Sequence, residues 1–196
     1  MNLLTEQDYA RAAGRLGWEV AAVKAVAEVE SRSAGFLADG RPKILFERHI
    51  FRRELLKRGI DTRALEREQP ELCNVKPGGY KGGAEEWRRL DDAVHVNRDA
   101  ALASASWGKF QIMGFNWKAS GAASIQDFVN RMYRSEGAQL DAFVEFVKDQ
   151  GIDDEVQRHD WAAFAEKYNG PGYDDAPGRA NDYDTKLAAA YARHAA

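Results

Sequence analysis

Two glutamates, Glu30 and Glu47, are the first residues in this chain whose types and surroundings suggest chemistry. At about 100° per residue on a helix, Val20, Val23, Val26, Ala27 and Glu30 share one face, whereas Glu28 turns nearly the opposite way, beside Lys24. Glu28 reads as a solvated surface carboxylate, Glu30 as one carried by an apolar stripe. Burial disfavours the charged form of a carboxyl, and the negative end of a helix pushes the same way. A carboxylic acid kept protonated near neutrality is what a general acid requires. On the residues alone, a core acid neutralised by Arg32 or Arg48 competes with that reading. Glu47 follows three apolar residues in Ile44-Leu45-Phe46-Glu47-Arg48-His49. It must line a cleft or emerge into solvent, paired with Arg48 or a neighbouring helix. Two carboxyls across a cleft are the minimum equipment for cutting a glycosidic bond, one protonating the leaving oxygen and the other activating water or attacking.

Two further stretches could serve a ligand. Ser106-Trp107-Gly108-Lys109-Phe110-Gln111-Ile112-Met113-Gly114 mixes rings, glycines and an amide. Glycine lets backbone approach a ligand, aromatics offer flat faces to sugar rings, and Gln111 both donates and accepts. Tyr168-Asn169-Gly170 ends a helix with similar chemistry, and for each stretch packing and turn formation is the alternative. Pro77-Gly78-Gly79-Tyr80-Lys81-Gly82-Gly83 reads as a surface loop or a substrate-lining one. No Ser-His-Asp or Cys-His arrangement and no P-loop is visible.

The elements that must position these residues are mostly helical. Patterns predict helices over Glu6 to Leu16 with Thr5 as N-cap, Glu19 to Ser31, Ile50 to Gly59, Arg63 to Gln69, and Ala84 to Ala105 with a new turn at Asn97 or Asp99. Further helices are predicted over Ile125–Gly137, Gln139–Gln150, Asp160–Tyr168 and Tyr183 to Arg193. Pro42 to Phe46 is open between a short strand and a helix entry, and Trp107 to Trp117 does not read as a helix.

The 196 residues suit one domain of ordinary globular composition, with 44% apolar and 30% charged residues. A net charge of −3 argues against a phosphate-dominated nucleic-acid binder and against a polybasic membrane anchor. One cysteine, Cys73, leaves no internal disulfide, and the four histidines fall in no metal-binding spacing, so no metal or cofactor is expected. With no leader pattern and no long apolar run, the expectation is synthesis in the cytoplasm, no stable membrane association, and release by some other agent.

Together the pieces form a pattern. Val29-Glu30-Ser31 after an apolar helix, a Gly108-x-x-Gln111-Ile112 block and Tyr168-Asn169 resemble goose-type lysozymes and lytic transglycosylases. The runs Ala27 to Ser31, Gly35-Phe36-Leu37, Gly40 to His49, Ser106 to Asn116 and Tyr168 to Tyr173 resemble more closely the N-acetylmuramidase family of phage and prophage endolysins, over about Leu16 to Tyr191. The resemblance implies a mainly α, lysozyme-like single domain over residues 1–196, with a minimal strand and loop lobe beside the cleft and no separate wall-binding module. It implies Glu30 as general acid and Glu47 as second carboxylate, a base acting through water, on the β-1,4 bond between N-acetylmuramic acid and N-acetylglucosamine. Gly108, Gln111, Tyr168 and Asn169 would line the cleft, with Trp107, Phe110 and Asn116 as further saccharide contacts. The partners would be peptidoglycan glycan strands, reached in the periplasm as a monomer after holin-dependent release. The rivals are a lytic transglycosylase leaving 1,6-anhydromuramic ends, and a non-catalytic peptidoglycan-binding module.

Overall fold

The computed structural model describes residues 3–30, 34–169 and 183–196. Helix α1 (Glu6–Leu16) begins at a complete capping box. The Thr5 hydroxyl accepts from the Asp8 N–H and the Asp8 carboxylate accepts from the Thr5 N–H, so aspartate serves where glutamate is usual. Helix α2 (Val20–Glu30) buries more than the stripe predicted: Ala22 and Ala25 join Val23, Val26 and Ala27, while Val20 is exposed. The reason is that α2 is covered on two sides, by α1 and by the last helix, α11 (Tyr183–Ala195).

Between these, the chain runs through β1 (Ile44–Phe46), α3 (Arg48–Lys57), α4 (Arg63–Glu68), α5 (Ala84–Val96), α6 (Arg98–Ala103), β2 (Ala105–Trp107) and β3 (Ile112–Met113). It continues through a 3-10 turn (Gly114–Asn116), α7 (Ile125–Arg134), α8 (Glu136–Gln150), α9 (Asp153–Gln157) and α10 (Trp161–Asn169). The helical stretch from residue 84 takes its new turn at Asn97, one of the two positions the sequence offered, whose side chain accepts from the Ala100 N–H at 2.9 Å and so starts α6. Ser135 does the same for α8, moving the α7–α8 boundary three residues earlier than the pattern suggested. Five-residue α9 is too short to show a period in the sequence.

The strands form one antiparallel sheet in the order β1-β2-β3, with Ile44 opposite Trp107, Phe46 opposite Ala105, and Trp107 opposite Ile112. The ambiguous Pro42–Phe46 stretch is thus a strand because β2 pairs with it. The sheet packs beside the helices, and α8 runs through the core with Leu140, Phe143, Val144 and Val147 buried. The fold is mainly α with a small sheet.

Candidate functional site

Glu30 is the last residue of α2 and is half-buried. Tyr168 of α10 shares its surroundings: burial first, then the charge of Glu30, raises the Tyr168 phenol well above its ordinary value, so it stays protonated. Arg48 is not the partner of Glu30 that the sequence allowed. Its guanidinium donates to the carbonyls of Lys76, Pro77 and Pro70 at 2.9, 2.9 and 3.1 Å. Arg32 and Ser31 lie outside the described residues, as does the Gly170–Tyr173 part of the second motif. Glu28 is exposed as expected, but its partners are Arg193 and His194 of α11, while Lys24 pairs with Glu6 at 2.8 Å.

Backbone hydrogen bonds stitch the candidate segments together. Gly35 accepts from the Lys43 N–H at 2.9 Å, and Lys43 accepts from the Gly108 N–H at 2.8 Å. The chain just beyond Glu30, the approach to β1 and Glu47, and the β2–β3 loop therefore share one frame. Helix α8 supports it from the core side. Glu136 accepts from the Gly35 N–H at 2.7 Å and lies 3.4 Å from the Lys109 ammonium; Gln139 accepts from the Lys109 N–H at 2.7 Å.

Glu47 sits between β1 and α3. Its N–H donates to the Ser104 carbonyl at 3.0 Å and its carbonyl accepts from the Phe51 N–H at 2.9 Å. Its side chain does not cap α3, is 15% exposed, and is not paired with Arg48. Instead the Tyr80 hydroxyl lies 2.9 Å from each carboxylate oxygen, and His49 Nδ1 lies 3.2 Å from Oε2.

The four residues Gly108 to Gln111 turn the β2–β3 hairpin. Gly108 has φ 70°, and a Cβ there would stand 2.6 Å from the Gln139 side chain, so close packing as well as conformation calls for glycine. Gln111 adopts φ 48°, a left-handed backbone uncommon outside glycine. Its amide holds the turn by accepting from the Ser106 hydroxyl at 2.8 Å and donating to the Gly108 carbonyl at 2.7 Å.

Trp107 and Phe110 are 1% and 2% exposed. Trp107 donates to the Leu102 carbonyl and packs edge-on against Trp87, and Phe110 stacks on Phe143. The ring faces read from the sequence as sugar platforms are turned into the core, Trp107 from β2, whose three residues are all buried, and Phe110 from the turn that follows it. Asn116 ends the 3-10 turn half-buried, and Tyr168 packs against Phe143, Phe146 and Phe164. Asn169 closes α10.

Tyr80, Glu86, Glu136 and Gln139 escaped the reading of the sequence. A lone phenol among four glycines and a proline was the one available signal for Tyr80. The other three sit at ordinary helix positions. Among the described residues, no group of three or more His, Cys, Asp or Glu side chains could hold a metal ion, and no helix is long and apolar enough to cross a membrane.

Comparison with known proteins agrees with this frame. None of the curated proteins matches the chain. Among solved structures, the crystal structure of the Burkholderia AP3 phage endolysin superposes with a TM-score of 0.91 at 47% identity, covering 99% of this chain and 72% of that one. The family model for N-acetylmuramidase matches residues 19–195, a span holding both Glu30 and Glu47, and the chain therefore belongs to the N-acetylmuramidase family.

Proposed function

We propose that this chain, a glycoside hydrolase of peptidoglycan by its family, cuts the β-1,4 bond between N-acetylmuramic acid and N-acetylglucosamine with Glu30 as general acid and Glu47 as base. In this reading Glu30 protonates the glycosidic oxygen as the sugar gains oxocarbenium character. Glu47 takes a proton from water arriving on the opposite face, which inverts the anomeric centre. The observation that carries the assignment of Glu47 is its carboxylate, largely shielded from solvent yet bound by a phenol donor rather than neutralised by an arginine. A carboxylate whose orientation is fixed by a neutral donor is placed to accept a proton from water.

The experiment is product analysis on purified peptidoglycan. Reducing muramic ends of inverted configuration are expected. Muropeptides one water lighter, ending in anhydromuramic acid, would transfer the chain to the transglycosylase reading. Retained configuration would make Glu47 a nucleophile, for which carboxyls about 5–5.5 Å apart are needed, against roughly 6.5–9.5 Å for inversion. The same proposal has the enzyme work as a monomer on strands reached through a holin lesion. A dimer in sedimentation, or lysis on schedule without a holin, would remove those parts alone.

A further inference from the structure

The side chain of Glu47 is held from a loop 33 residues further along the chain. The Tyr80 phenol has one proton to donate and stands at 2.9 Å from both oxygens, so it bridges the carboxylate instead of choosing one side. Tyr80 does not reach this position on a loose loop. On one side, Arg48, the residue after Glu47, donates to the carbonyls of Lys76 and Pro77. On the other, the buried carboxylate of Glu86 accepts from the N–H groups of Lys81 and Gly82 at 2.6 and 3.0 Å, and also from Phe46, the residue before Glu47, at 3.1 Å. Both ends of the 76–82 segment are therefore tied to the two chain neighbours of Glu47, with Tyr80 between the ties. The segment passes close to Arg48: Gly79 has φ 77°, and a Cβ on it would lie 3.3 Å from one Arg48 nitrogen.

We propose that residues 76–82 form a strap whose purpose is to hold Glu47, and that Tyr80 is the positioning residue of the second carboxylate. This rests on the reading of Glu47 as the base. The phenol fixes the carboxylate's orientation, leaving it aimed to take a proton from water. Burial, followed by the hydrogen bond from Tyr80 to Glu47, raises the phenol above its ordinary value, so Tyr80 remains a donor throughout the working range of the enzyme. The other ionisable groups around Glu47 are His49 on α3 and, behind the strap, Arg48 and the Glu86–Arg89 pair of α5.

The test is Tyr80→Phe, which keeps the ring and removes the donor, with kcat and KM measured on purified peptidoglycan across pH and the melting temperature recorded beside them. The expected result is a kcat lower by about ten- to a hundredfold and a KM within about twofold of wild type, at unchanged melting temperature. Combined with Glu47→Gln, the substitution should cost nothing more, because a group acting through Glu47 has nothing left to position. Wild-type kcat in Tyr80→Phe would overturn the proposal. So would a raised KM at wild-type kcat, which would make Tyr80 a saccharide contact. Undiminished activity in Glu47→Gln alone would instead remove the base assignment on which the proposal rests.

Discussion

Exchanging Glu30 for glutamine keeps the side chain's volume and hydrogen-bonding shape but leaves no acidic proton to give. In Glu30→Gln the rate of peptidoglycan hydrolysis should fall at least about a hundredfold with the melting temperature retained. Glu28→Gln on the same helix is the control. Its carboxylate is 45% exposed, and the pairs it loses to Arg193 and His194 are of the kind that contribute at most about 1 kcal/mol, so activity should be nearly unchanged. The different surroundings of the two acids were legible in the sequence, because helix periodicity is a local rule. Their partners were not. Arg193 and His194 lie more than 160 residues from Glu28, and no spacing within α2 points to them. The burial of Trp107 and Phe110 was hidden for a related reason: beside a glycine, a ring reads the same whether the fold turns it inward or outward.

Among the elements, the helices were legible nearly to their ends and the connections between them were not. Three-residue strands carry no usable period, so β1 became identifiable only through its pairing with β2. The strap is the extreme case. Its glycine-rich composition suggested a loop, yet Glu86, fully buried at the start of α5, organises it. Glu86 also accepts from Arg89 at 2.7 Å, and Arg89 in turn donates to the carbonyls of Phe46 and Glu71. Glu86→Ala would leave three N–H groups without their acceptor and the buried guanidinium without its counter-charge. It should destabilise the protein by about 3–5 kcal/mol in urea unfolding, and speed amide exchange at Lys81 and Gly82 beyond that at the α8 core. Unchanged exchange at those two amides would mean that the strap is held by other contacts.

For the molecule as a whole, stability should depend on acid in a direction set by its carboxylates. Burial pushes the Glu86 carboxyl up, but the N–H groups of Gly82, Lys81 and Phe46 and the Arg89 guanidinium outweigh it and hold the group below its ordinary value of 4.5. Glu54 is likewise pushed up by burial and held lower by Lys57 and Arg58. Groups with depressed folded values bind fewer protons folded than unfolded, so the stability they contribute is complete above about 4.5 and is lost as pH falls through their folded values. Urea midpoints should therefore be level from neutrality down to about pH 5 and drop below it, and Glu86→Gln should shallow that drop. A midpoint that rises on acidification would contradict this account.

The pairing of α2 with α11 also has a meaning in time. Glu28 and Arg193 are separated by 165 positions, and at roughly 5–20 residues per second a ribosome needs on the order of ten to thirty seconds to travel that far. Throughout that interval the helix bearing Glu30 has been made but lacks the wall that closes its flank. A polypeptide still being translated is thus expected to be inert. Competence is expected only with the segment around Leu187 and Ala190, the buried residues of α11, so a chain truncated before Tyr183 should show no hydrolysis of purified peptidoglycan.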